Sequence, residues 1–190
     1  MIYQMFVYSE PKQSANGCYA ARVTSDDGSR VLKQLNNVTI LSDFTESQVV
    51  VFDIGNCMDV IKGADEVVVE ASKEHSTKWF GKELAPKTLE AAYSSAVSVD
   101  GEINLHKVKG LKVYNHKKEV VDPETLAVNS KCDVIAELTN LTFTKKSFKA
   151  MWKLVQVKLR APPKTKYTDT YLFADNDQAE SESDSDDELI

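Results

Sequence analysis

Val134-Ile135-Ala136-Glu137-Leu138-Thr139-Asn140-Leu141-Thr142-Phe143 and Phe148-Lys149-Ala150-Met151-Trp152-Lys153-Leu154-Val155-Gln156-Val157-Lys158-Leu159-Arg160, joined by Thr144-Lys145-Lys146-Ser147, form the stretch that decides the fold. Both runs are rich in β-branched and aromatic residues, and a short polar link between two such runs predicts a β-hairpin. In the second run strand alternation puts Phe148, Ala150, Trp152, Leu154, Gln156, Lys158 and Arg160 on one face, and Lys149, Met151, Lys153, Val155, Val157 and Leu159 on the other. Neither face is wholly apolar. The face with Trp152, Lys158 and Arg160 is the candidate for binding, which makes Val155, Val157 and Leu159 core. A twist or bulge must then separate Lys149 and Lys153 from that core side. Pro162-Pro163 stops the strand, because proline lacks the ladder donor.

Upstream, strand-like segments dominate: residues 2–8, 18–24, 30–35, 37–41 and 48–53, with β-rich residues 67–71 carrying three consecutive valines. Asp26-Asp27-Gly28-Ser29 reads as a hairpin-type turn. Leu89, Ala92, Tyr93 and Ala96 stand at i, i+3, i+4 and i+7, which predicts one amphipathic helix over residues 88–97. Strands resume over residues 103–108 and 111–114. Many strands and one helix predict a mainly-β body, a small barrel or sandwich. It spans residues 1–166, followed by a linker and tail over residues 167–190.

A chain of 190 residues and 21.2 kDa is one domain's worth, or one domain with appendages. No apolar run approaches the roughly 20 residues a membrane helix needs, and the first residues carry no signal-peptide pattern. Cys18, Cys57 and Cys132 are odd in number and form no CxxC, which points to a reducing, intracellular compartment. No Gly-rich phosphate loop, HExxH or GxSxG is present; His75, His106 and His116 lie far apart, and Asp53 and Asp59 read as turn or cap residues. The reading is therefore no enzyme, no metal and no cofactor.

The net charge of −6 hides a polarised chain. Residues 1–106 hold 15 acids and 9 bases, residues 107–166 hold 14 bases and 5 acids, and residues 175–190 hold 8 acids and no base. The last segment alternates serine with acids and ends in Leu189-Ile190, a composition that cannot form a core and predicts disorder. In the basic half, Lys109, Lys112, Lys117 and Lys118 flank one predicted strand pair with Tyr114, and Lys145, Lys146, Lys149, Lys153, Lys158 and Arg160 decorate the terminal hairpin with Phe148 and Trp152. Lysines neutralise phosphates while aromatic faces stack on unpaired bases, so this pattern points to single-stranded nucleic acid. Lys78-Trp79-Phe80-Gly81-Lys82 reads either as a further stacking platform or as a plug closing the barrel bottom. No residue pattern here reads a 2′-hydroxyl, so DNA and RNA both stay open.

A β-rich body with an intervening helix, a basic terminal hairpin and an acidic tail with an apolar tip resembles the gene-2.5-type single-stranded DNA-binding family of phage T-seven, with counterparts in large nucleocytoplasmic DNA viruses. The matching stretches are residues 78–82, residues 136–138 through 152–158, the opening Tyr8-Ser9-Glu10-Pro11-Lys12, and the tail. The resemblance implies an OB-fold-like five-stranded barrel with a helix inserted before the fourth barrel strand. It implies sequence-independent single-stranded DNA binding in viral replication, recombination and repair, in the host nucleus or at a cytoplasmic viral replication site. It further implies a tail, Asp184, Asp186, Asp187, Glu188, Leu189 and Ile190, that competes with DNA, recruits replication proteins such as DNA polymerase and supports homodimers. Trp79, Trp152, Lys78, Lys82 and the hairpin lysines carry over as binding residues. Ser181, Ser183 and Ser185 each precede an acid by three positions, the pattern of an acidophilic kinase site. The competing reading is an acidic-tailed, histone chaperone-like interaction module with no DNA affinity in its body.

Overall fold

A computed structural model of the chain describes residues 5–13 and 17–161. In chain order the elements are β1 (Phe6–Tyr8), β2 (Lys12–Gln13), β3 (Tyr19–Ser25), β4 (Val31–Ile40), β5 (Val49–Asp53), α1 (Met58–Glu74), α2 (Ser76–Phe80), α3 (Pro86–Ala92), β6 (Tyr93–Ser94), β7 (Glu102–Tyr114), β8 (Val120–Val121), β9 (Lys131–Phe143) and β10 (Phe148–Leu159). β9 and β10 are the antiparallel hairpin expected from the deciding stretch. β4 pairs antiparallel with β9 and β5, β5 antiparallel with β7, and β7 parallel with β10. Because β10 also pairs with β9, the five strands close into a ring, the OB-like arrangement of a mainly-β fold.

The helical part departs from expectation in place and extent. It lies between β5 and β7, the second and third ring strands, while a three-residue 3-10 turn, Pro123–Thr125, precedes β9. Residues 67–71, expected as strand, lie in α1, which buries Ile61, Ala64, Asp65, Val68 and Ser72 at helical spacing. The helix expected over residues 88–97 ends at Ala92, because Tyr93–Ser94 joins the start of β10 as a short parallel strand. The Tyr93 hydroxyl and the Ser95 hydroxyl each donate a 2.6 Å bond to one oxygen of buried Asp65, which ties this segment to α1. Burial raises the Asp65 pKa, and the two hydrogen bonds oppose that rise.

The Asp26–Ser29 turn does not make a hairpin of its flanking strands. β3 pairs with β9 from Tyr19 opposite Phe143 to Arg22 opposite Asn140, and β4 continues along the same edge from Val31 opposite Leu138. The two strands run in one direction along β9, and residues 23–30 are an excursion that leaves its edge. β1 pairs with that excursion, Phe6 opposite Ser25 and Tyr8 opposite Val23.

Of the twist or bulge expected in β10 the structure has a bulge, with a different consequence from the one expected. The register of β10 shifts between Leu154 and Gln156 against both neighbours. Phe148, Ala150, Trp152 and Leu154 are core before the shift and Val157 is core after it, so Lys149, Lys153, Gln156 and Lys158 all face out. Trp152 is only 2% exposed and Phe148 1%, so neither can present a face to a base in this conformation. Trp79, 7% exposed, is the plug rather than the platform. Its ring meets Tyr8, Phe143 and Phe148 edge-on at centroid distances of 5.1, 5.6 and 6.4 Å. These three candidates for base stacking are corrected to core residues.

Trp152→Ala is expected to cost about 3–5 kcal/mol, while Lys153→Ala beside it stays within about 0.5 kcal/mol. Urea unfolding of the two variants checks the phase of β10, and equal losses would contradict it.

Candidate nucleic-acid interface

The excursion at residues 23–30 leaves a gap in the strand that covers the edge of β9. Opposite the gap β9 itself is irregular: Met151 pairs with Asn140 and Trp152 with Leu138, leaving Thr139 as the extra residue. The Thr139 hydroxyl is within hydrogen-bonding distance of the Met151 carbonyl at 3.2 Å and the Asn140 amide oxygen at 2.7 Å. A groove of about 560 Å³ lies over this place, lined by Arg22 and Arg30 from the two rims of the gap, Lys12 from β2, Lys153 from β10, and the polar Thr139 and Asn140. Glu137 is the acid of this lining, 3.9 Å from the Arg30 guanidinium and cross-strand from Lys153.

A second, smaller groove of about 270 Å³ opens farther along β10, lined by Gln34, Tyr114, Lys118, Asp133, Gln156 and Lys158 among others. Lys112 stands beside Gln156 on β7, and Tyr114 beside Lys158. The outer face thus carries Lys149, Lys153 and Lys158 on β10 with Lys112 and the half-buried Tyr114 on β7. Lys117 and Lys118 are exposed in the β7–β8 turn at one end of the face. Lys145 and Lys146 are exposed in the β9–β10 turn at the other end, twelve residues of β10 away, a span of roughly 40 Å at strand rise. Lys109 is exposed beside Gly110, whose φ of 78° accommodates a local excursion of β7. Four β7 residues, 108–111, there face one residue of β10. Lys78 and Lys82 sit outside the sheet, on and just after α2, and Lys78 lies 3.7 Å from Glu10.

Arg160 and Lys158 have a protein partner. Asp133 is nearly buried, and its carboxylate lies 2.7 Å from the Arg160 Nε and 3.1 Å from the Lys158 Nζ while accepting the Asn37 amide at 2.9 Å. Burial alone would raise the Asp133 pKa, but the Asn37 amide and the two cations outweigh it and hold the carboxyl below the usual range. The pair positions the two bases at the end of β10. Lys107, inside the basic half, is spent on structure: it donates to the Phe44 carbonyl at 2.7 Å and lies over the Phe44 ring.

Arg22 and Arg30 were not among the sequence candidates, because they lie in the acidic front of the chain. A pair of arginines flanking a turn was the available signal. Lys164, Lys166 and the tail residues Ser181, Ser183, Ser185, Asp184, Asp186, Asp187, Glu188, Leu189 and Ile190 lie outside the described residues. Among the described residues no cluster of three His, Cys, Asp or Glu could hold a metal ion, and no helix is long and apolar enough to cross a membrane.

Fold and site together define a small β-ring whose outer face collects cations from several strands. The chain belongs to a family of unknown function (DUF5871), whose profile matches residues 36–175. No curated protein matches it. Among solved structures it is similar to a single-stranded DNA-binding protein from bacteriophage Enc34, at 15% identity over 82% of this chain and 90% of that chain, TM-score 0.48. A C-terminal truncation of that protein matches at 13% identity over 83% and 95% of the two chains, TM-score 0.48. Its complex with ssDNA matches at 15% over 82% and 96%, TM-score 0.47.

A carboxyl whose folded pKa lies below its unfolded value of about 3.9 contributes stability above that value and loses it as pH falls through the folded pKa. Asp133 therefore steepens acid destabilisation below about pH 4. Asp133→Asn is expected to flatten that part of the profile in urea titrations across pH, and an unchanged acid slope would contradict the assigned pair.

Proposed function

We propose that the chain is a non-catalytic, sequence-independent single-stranded DNA-binding protein that holds the strand on the outer face of the β-ring. The observation that carries this reading is the groove where Arg22, Arg30, Lys12 and Lys153, drawn from separate places in the sequence, converge on the polar Thr139 and Asn140. Guanidinium groups fork onto phosphate oxygens, and lysines act as point charges beside them. The β10 lysines and the Lys112–Tyr114 pair extend this surface toward the β7–β8 turn. With Trp79, Phe148 and Trp152 in the core, Tyr114 is the aromatic of the described outer face that is available to bases. The interaction then rests on charge more than stacking, which gives strong salt dependence and little sequence preference.

The gene-2.5-type resemblance supplies the finer proposal: a role in viral DNA replication, recombination and repair, with polymerase or other replication proteins as partners of the acidic end. Residues 175–190 carry eight acids and no base. Tethered to the body, they would compete with DNA for the basic face at high effective concentration. Phosphorylation at Ser181, Ser183 or Ser185 would add about −1.5 to −2 charges per site and strengthen that competition.

Fluorescence anisotropy with labelled oligo-dT across a salt series tests the reading. Full-length protein should bind with a steep negative slope of log affinity against log salt. Arg22→Ala, Arg30→Ala and Lys153→Ala should each weaken binding and reduce the slope by about 0.7, with melting temperatures unchanged. Deleting residues 175–190 should tighten binding. Undetectable binding at low salt, or a full slope in the triple variant, would overturn the assignment.

A further inference from the structure

A third groove, about 790 Å³, lies between β1 and α1 and shares no lining residue with the basic one over β9. Its apolar surface comes from Met5, Val60, Val67 and Ala71. Met5 is 69% exposed and the three α1 residues are half-buried, so the stripe beside the buried side of α1 is left partly open. At Gly63, within that stripe, a Cβ would meet nothing within 4 Å, which leaves a slot between helical turns. Glu66, Glu70 and Glu74 stand on successive turns of α1 along the groove, with Glu70 2.9 Å from Lys73 on the same helix and Lys33 as the lysine of the lining.

One feature gives the groove a means of holding a backbone. β1 pairs with β3 along one edge and ends the path of strands, so its other edge has no strand among the described residues.

We propose that this groove docks an extended, basic and apolar segment of another protein. Its backbone would lie along the free edge of β1, its apolar side chains on Val60, Gly63, Val67 and Ala71, and its lysines or arginines beside Glu66, Glu70 and Glu74. The same acids disfavour a nucleic-acid backbone, and equally the acidic residues 175–190 of this chain. The assignment is independent of the DNA-binding reading and gives the protein two unlike surfaces, one for phosphates and one for a cationic peptide.

The test uses the full chain and a labelled synthetic peptide of alternating lysine and valine, seven residues long, read by anisotropy. Saturable binding is expected, weakened at least tenfold by Gly63→Leu, which fills the slot, and by Glu66→Lys with Glu74→Lys, which reverses the rim. Gly63→Leu should not lower the melting temperature, since leucine favours helix over glycine and nothing occupies the slot, and it should leave oligo-dT affinity unchanged. The overturning results are no saturable binding by the parent chain, equal affinity in Gly63→Leu (which would place the peptide on residues 175–190 instead), or equal binding of a glutamate-for-lysine peptide. A dimer that Gly63→Leu dissolves, or peptide binding that appears only after deletion of residues 1–4, would assign the groove to a second copy or to the chain's own N-terminus and would likewise overturn the proposal.

Discussion

β9 carries the arrangement on which the rest depends. Along one edge it pairs with β10, and along the other with β4 and then β3. The first pairing closes the ring and gives every ring strand an inside and an outside. The second leaves the Arg22–Val31 gap, because the chain departs from the edge between the two partner strands and returns to it. Closure makes the core around Trp152, Leu138 and Leu105, while the gap makes the basic groove. Both are consequences of backbone pairing, and the cations occupy positions that pairing leaves facing solvent.

The bulge in β10 follows from the same closure. A twelve-residue strand in strict alternation would turn either Lys149 and Lys153 or Lys158 into a small apolar interior, at a cost of several kcal/mol per unpaired charge. One extra residue at Val155 changes the phase and keeps all three outside. The conflict between the two faces was legible in the sequence, and so was the need for a twist or a bulge to resolve it. Which half of the strand faced inward was not, because alternation carries no information across an irregular residue. Trp152 therefore falls on the opposite side from the one alternation alone assigns, while Lys149, Lys153 and Lys158 all face outward.

Other parts were legible to different depths. The β9–β10 hairpin could be read because two long β-rich runs flank a four-residue polar link. α1 could not, because Val67-Val68-Val69 imitates a strand and because the buried stripe includes Asp65, whose partners Tyr93 and Ser95 lie 28 and 30 residues away. Arg22 and Arg30 were hidden by averaging: the acidic front of the chain places its acids on α1 and in turns, and its arginines on the sheet beside the basic half. Net charge over a sequence segment describes solubility and steering, whereas a binding face is made by whichever segments the sheet brings together. The molecule separates its charges by face, with cations on the outer surface of β3, β7 and β10 and acids along α1 beside the apolar groove.

The most direct measurement is an amide chemical-shift titration of the full-length protein with short oligo-dT. The account predicts the largest changes at Arg22, Arg30, Thr139, Asn140, Lys153 and Gln156, extending to Lys112 and Tyr114, with α1 unaffected. Changes centred on α1 and β1, or none outside the acidic end, would contradict the claim that the outer face of the ring holds the strand.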